Sequence, residues 1–222
     1  MTLISYLGNA IMASDPRLSL MAANLTPGEP VWGMALLFPP QGSWTESEYL
    51  ELDAGRVVEF DQGCVEVHDM PTKAHQRIVR FLFAVLNQFV SATGLGEVFF
   101  APLPVRLWAE KFREPDLLFI RHGRGEFRGY PESADLVIEV VSDGEVSRRR
   151  DLETKREEYF RAGIAEYWIV DPQTATITIL SGLGGDAFAD ERVFGVGEVA
   201  TSQVLEGFSV PVEEALAAAK RP

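Results

Sequence analysis

Apolar residues recur at helical spacing after Pro71. Ile78, Leu82, Val85, Leu86 and Phe89 fall on one side of a helix predicted over residues 72–91, opened by Pro71-Thr72 and stopped by Thr93-Gly94. A shorter helix is predicted over 45–52, where Thr45 and Glu48 have capping-box spacing. Between these helices, residues 56–60 and 64–68 read as two strands joined by the turn-rich Asp61-Gln62-Gly63. Strands follow at 96–100 and 103–108, and another begins at Pro115 or Asp116, because proline is tolerated at a strand's first position. Residues 123–131 read as a loop. Residues 135–141 form the most aliphatic run, which predicts a central strand covered on both faces. A helix over 150–162 ends at Gly163, with Leu152, Tyr159 and Phe160 on its apolar side. Residues 166–171 and 174–180 read as a hairpin around Pro172-Gln173, the Gly-rich 181–185 as a flexible turn, 192–194 as a strand piece, and the Ala-rich segment after Pro211 as a short helix.

Residues 1–43 lack clean periodicity and are punctuated by Pro27, Pro30, Pro39 and Pro40; they read as an irregular N-terminal extension to one domain over 44–222. The order of helix, strands, helix and strand predicts an α/β domain, a mixed sheet flanked by helices with extra antiparallel strands. At 222 residues, with 46% hydrophobic and 24% charged positions, the chain suffices for one substantial core. No apolar run is long enough to span a membrane, and the absence of Lys or Arg from the mildly apolar start argues against a secretory signal. The single cysteine, Cys64, excludes an intrachain disulfide and a multi-cysteine zinc site; a reducing cytoplasm fits. The net charge of −13 would repel a polyanion, so a role on nucleic acid requires a local basic patch, a divalent cation or a partner. Arg148-Arg149-Arg150 with Lys155 and Arg156 is one candidate patch, and a solvated loop and helix start is the plainer reading.

Chemistry concentrates in three stretches: Glu114-Pro115-Asp116, the run Asp135–Val141 that buries Glu139 among aliphatics, and Asp151 through Lys155 to Tyr159. An isolated ionised carboxylate in a sheet interior costs several kcal/mol unless a cation or donors meet it. If the strands carrying Asp116 and Glu139 pair, their carboxylates converge at distances that suit a hard cation such as Mg²⁺, with the Val140 carbonyl as a further oxygen. Lys155 would orient a water or stabilise developing negative charge. Asp151 and Tyr159, four residues to either side of it, would share its helical face. For each residue a structural role competes. Asp116 would bond backbone amides, Glu139 an Arg or Lys, and Lys155 the solvent. His75 would cap or pack, or else act as a base or phosphate contact.

In this order the residues resemble the PD-(D/E)XK nuclease superfamily, and more closely a branch of restriction-endonuclease-like domains abundant in cyanobacteria. The resemblance is carried by Val58-Glu59-Phe60-Asp61-Gln62-Gly63, His75-Gln76-Arg77-Ile78, Glu114-Pro115-Asp116-Leu117-Leu118-Phe119 and Ile138-Glu139-Val140-Val141-Ser142. It continues through Arg150-Asp151, Lys155-Arg156-Glu157-Glu158-Tyr159 and Gly163-Ile164-Ala165-Glu166-Tyr167-Trp168-Ile169-Val170-Asp171. It implies a restriction-endonuclease-like fold, Asp116 and Glu139 as metal ligands, Glu59 as an additional acid near the metal, and Lys155 as the catalytic lysine. The parent motif places that lysine two residues after the glutamate, where this chain has Val141; in the branch it sits on the following helix, as Lys155 does. Asp143-Gly144-Glu145 replaces the Pro-Ser-Thr-like run of the branch and alters the loop over the site.

The resemblance implies a Mg²⁺-dependent endonuclease, with Mn²⁺ as substitute, that hydrolyses DNA phosphodiester bonds, and pairing as a homodimer, as in related nucleases, is an expectation that comes with it. The competing expectation is a non-catalytic scaffold that serves as a protein-interaction module. An acid-pair glycoside hydrolase is weaker, because the aromatics are scattered and line no evident sugar cleft.

Overall fold

The computed structural model describes residues 38–52 and 57–220. Most of the expected N-terminal extension, residues 1–37, lies outside them, as does Arg56 at the start of the first expected strand. Phe38 stacks on Trp44 with ring centroids 5.8 Å apart, and the Gln41 side chain exchanges hydrogen bonds with the Val65 backbone.

Helix α1 (Glu46–Leu50) opens on the expected reciprocal cap between Thr45 and Glu48. Strands β1 (Val58–Asp61) and β2 (Cys64–Val67) form the expected hairpin. Helix α2 (Lys73–Thr93) starts at Thr72, whose side chain accepts from the His75 amide, and ends at Gly94 in the left-handed conformation. Its buried residues, Ile78, Leu82, Leu86 and Val90, repeat every four positions, so one face supplies the core. β3 (Gly96–Phe100) and β4 (Val105–Trp108) come next. β5 (Lys111–Arg113) is a strand the sequence pattern did not announce, because its two cations flank a single phenylalanine. β6 (Leu117–Arg121) and β7 (Leu136–Val140) follow, every residue of β7 being buried, as the aliphatic run implied.

The helix expected over 150–162 is a composite. It begins earlier, as α3 (Glu145–Arg149), widens into a π-helical turn at Arg150–Thr154, and resumes as α4 (Lys155–Arg161). Such a turn re-aims the side chains around it, a device common at functional sites. β8 (Glu166–Asp171) is wholly buried. β9 (Thr176–Gly184) absorbs most of the segment read as a flexible turn and pairs along its length with β10 (Ala187–Phe194); the reversal sits at Gly185-Asp186. Glycines allow either conformation, and cross-strand pairing decides here. β11 (Val199–Thr201), β12 (Ser209–Pro211) and α5 (Val212–Ala217) complete the chain.

These strands build a six-stranded mixed sheet in the order β10-β9-β8-β7-β6-β3, a four-stranded sheet in the order β2-β1-β5-β4, and the small β11-β12 pair. In the large sheet only β7 and β8 run parallel, joined by the α3–α4 crossover; the other neighbours are antiparallel. This is the expected α/β architecture. One face of the sheet packs Leu117, Leu136, Ile138 and Trp168 against α2 and α5. The other packs Leu118, Val137, Val141 and Ile169 against Tyr159 and Tyr167 beneath the crossover. Among the described residues no helix is long and apolar enough to cross a membrane.

Candidate active site

Strand register decides where the acids go. Leu117 on β6 pairs with Ile138 on β7, and both belong to the α2 face. Asp116 stands immediately before β6 and Glu139 one position beyond Ile138, so this pairing brings both acids to the same end of the two strands, and alternation turns Glu139 to the crossover face. The Val140 amide donates to Asp116 Oδ2 at 2.8 Å, and His75 Nε2 lies 3.1 Å from the same oxygen. Glu139 Oε1 receives Lys155 Nζ at 2.7 Å and the Tyr159 hydroxyl at 2.7 Å. These contacts occupy only one oxygen of each acid. Asp116, Glu139, Asp151, Lys155, His75 and Glu114 all line a cleft of about 260 Å³.

Glu59 reaches the cluster from the other sheet. Its carboxylate is fully buried and already crowded with donors: Lys155 Nζ at 3.0 Å, Arg113 Nη1 at 2.5 Å, His68 Nε2 at 3.0 Å and the Glu114 amide at 3.2 Å. It therefore joins Lys155 but does not line the cleft that holds Asp116 and Glu139. Arg113 is an anchor the sequence reading missed. It spans Glu59 and Glu158, meeting the latter through two bonds of 2.7 and 2.9 Å. The charge–Phe–charge pattern Lys111-Phe112-Arg113 was the available signal, since alternation places both cations on one face.

Lys155 is buried at the first turn of α4 and meets three carboxylates: Glu139, Glu59 and, at 3.5 Å, Asp151. Burial would release its proton, but these three charges override that and raise its affinity for the proton. Burial likewise works against ionised Glu59, yet Lys155 and Arg113 hold its pKa well below the usual carboxylate range. Glu139 goes the other way. Burial, reinforced by Asp151, Asp116 and Glu59, outweighs Lys155 and lifts it to about 7. Asp151 is raised by burial as well. His75 is also raised: burial opposes its charge, but Asp116 and then Glu139 favour it. The cluster thus carries more negative charge than its own cations balance, and protons make up part of the difference.

A hard cation fits the Asp116–Glu139 corner. Its donors are carboxylate oxygens, Asp151 Oδ1 is buried with no hydrogen-bond partner, and the surplus charge that raises Glu139 is what a divalent ion would neutralise. Among the described residues, Glu59, Glu66 and His68 form the one group of three potential ligands whose atoms all lie close enough to share an ion. There, however, Arg113 Nη1 already lies 2.5 Å from Glu59 and 3.7 Å from Glu66, and Arg150 Nη1 lies 2.8 Å from Glu66. Two guanidinium groups occupy that electrostatic position.

The basic run singled out in the sequence does not survive as a free patch. Arg148 forms two bonds with Asp171, Arg149 pairs with Glu153, Arg150 with Glu66, and Arg156 with Glu191.

A family model described as "Uma2: Putative restriction endonuclease" matches residues 45–213. No curated protein matches the chain. Among solved structures, a crystal structure described as a putative nuclease belonging to DUF820, from Anabaena variabilis ATCC 29413, superposes with a TM-score of 0.66 at 17% identity, covering 79% of this chain and 99% of that one.

Proposed function

The chain belongs to the Uma2 family of restriction-endonuclease-like proteins, and we propose that it hydrolyses phosphodiester bonds of DNA with Mg²⁺ held by Asp116 and Glu139. The observation that supports this reading is that both acids line one cleft, with Lys155 Nζ 2.7 Å from Glu139.

Asp116 and Glu139 would hold a divalent cation at that corner, which when bound would supply an acidified water and polarise the phosphoryl oxygens. The Val140 amide keeps Asp116 in place. Glu59, Glu139 and Asp151 fix the Lys155 ammonium at the cleft wall, where it is preorganised to stabilise charge building on the phosphate. Glu59 accordingly acts through Lys155, and His75 acts through Asp116 by meeting the same oxygen that the Val140 amide holds. Tyr159 restrains Glu139 by donating its hydroxyl proton to Oε1.

The test is nicking of supercoiled plasmid by the purified chain with Mg²⁺ or Mn²⁺. Glu139→Gln and Asp116→Asn should each lose cleavage while keeping the parent's circular dichroism spectrum and cooperative unfolding. A variant that cuts as fast as the parent contradicts the mechanism. A parent that binds no divalent cation and cuts nothing is instead the interaction scaffold.

A further inference from the structure

With the Arg148–Arg150 run neutralised by its own ion pairs, the positive surface of this acidic chain lies elsewhere. Lys73, Gln76, Arg77 and Arg80 are spaced to share one side of α2, away from the stripe that feeds the core. With Val79 and Phe83 of the same helix and Phe100 at the end of β3, they wall a groove of about 480 Å³. No acidic side chain lines it among the described residues. The groove adjoins the acid cleft. Gln76 lines both, and Ala101 and Pro102, which follow Phe100 directly, line the cleft. Phe100 is 56% exposed, and Phe83 meets it edge-on with centroids 5.1 Å apart, which fixes the ring while leaving it open to solvent.

We propose that this groove seats a single nucleic-acid strand running away from the scissile phosphodiester, with phosphates against Lys73, Arg77 and Arg80 and one base stacked on Phe100. The assignment rests on the nuclease reading of the cleft and adds the form of substrate it takes. Three cations without an acid, in a chain of net charge −13, complement a polyanion at this place only if one is meant to lie there. An exposed aromatic face beside phosphate-binding cations suits a base free of a duplex stack, because paired bases have their faces covered. An unpaired strand is therefore favoured over a duplex. Arg77 donates to the Ala219 carbonyl at 3.2 Å and so holds a fixed position. Lys73 and Arg80 are exposed, and replacing them leaves the core untouched.

The test uses the full chain without divalent cation and reads fluorescence anisotropy of a short labelled oligodeoxynucleotide, single-stranded or annealed to its complement. The single strand should bind more tightly. The double variant Lys73→Ala/Arg80→Ala should weaken it about tenfold and flatten the slope of log affinity against log salt by about 1.4, the share of two phosphates on a single strand. Phe100→Ala should weaken the single strand about tenfold and leave the duplex unchanged. All these variants should keep the parent's rate on bis(4-nitrophenyl) phosphate with Mn²⁺, since that small diester needs only the cleft. If the parent hydrolyses the small diester but the groove variants bind the strand as well as it does, or if the duplex is preferred, the groove assignment is wrong while the cleft reading stands. If the parent fails on the small diester yet the groove variants lose the strand, the cleft reading fails and the groove stands as a strand-binding site. Preference for a polyglutamate peptide over the oligonucleotide would assign the groove to an acidic protein and overturn the proposal.

Discussion

Glu139 and Glu166 sit on adjacent parallel strands, β7 and β8, both buried, on opposite faces of one sheet. Glu166 is surrounded by neutral donors: the Trp168 indole at 2.6 Å, the Ser202 hydroxyl at 2.6 Å, and the amides of Gln203 and Val204 at 2.6 and 3.2 Å. Its lone pairs are consumed in tying the segment before β12 to β8. Glu139 meets one ammonium and one phenol through a single oxygen, and its nearest charged neighbours include three acids. Two carboxylates both hidden from water therefore stand in opposite electrostatic settings. Where every lone pair is spoken for, the acid is a fastener; where charge is left uncompensated beside a cleft, the acid is available for chemistry.

Substitutions should separate the two sides. Lys155→Met removes the cation that serves only the Glu139 side and leaves three carboxylates facing one another. We expect a loss of about 3–5 kcal/mol in urea unfolding at pH 8. That loss should shrink toward pH 5 as Glu139 and Asp151, whose proton affinities are already raised, take up protons. A loss unchanged with pH would mean that packing, and not charge, accounts for it. Next in size, Glu139→Gln should lower cleavage by roughly 10²–10³-fold with little change in stability. Glu166→Gln should do the reverse: about 2–3 kcal/mol of stability lost as one acceptor becomes a donor facing donors, with the cleavage rate of the folded fraction retained. If both variants behave alike, the distinction between fastener and reactive acid collapses.

Much of this was legible in the sequence, and the remainder shows where one-dimensional reading stops. Helix α2 is written in its four-residue apolar repeat, its Thr72 cap and its Gly94 stop, all local signals. Strand β7 is written in an aliphatic run interrupted by one acid. Glu139 stands out because it interrupts an aliphatic run and Asp116 because it opens one, whereas Lys155, in a charged helical stretch, is marked only by the ordered resemblance. Whether the two acids line one cleft depended on a strand register that no local pattern fixes, since a slip of one residue would turn Glu139 to the α2 face. Arg113 and Glu59 come from a second sheet, and their meeting with Lys155 depends on contacts between segments far apart in the chain. The π-helical turn at Arg150–Thr154 left no compositional mark, because its residues suit an ordinary helix equally well. Ser181–Gly184 read as a turn because glycine lowers strand propensity; the pairing with β10 overrides that preference.

Two smaller effects sharpen the contrast. Glu139 keeps its proton in the native state up to about pH 7, whereas the unfolded chain releases it in the usual carboxylate range. In the metal-free protein its ionisation therefore lowers stability as pH rises between those values. A cation must displace that proton. Mn²⁺ affinity measured by calorimetry should rise about tenfold per pH unit below 7 and flatten above it. A flat profile from pH 5.5 to 8 would show that Glu139 is no ligand. Tyr159→Phe, the smallest change, removes one donor to Glu139 and should cost about 1 kcal/mol of stability. It should also shift the midpoint of the Mn²⁺ profile upward, since the lost hydrogen bond favoured the ionised acid.

On the proposed reading Asp116 and Glu139 share a divalent cation beside Lys155. Anomalous diffraction from a Mn²⁺-soaked crystal of the parent chain should then show a peak within coordination distance of one oxygen from each acid, on the cleft side of Glu139. A peak lodged among Glu59, Glu66 and His68, or an empty corner at saturating Mn²⁺, would contradict it.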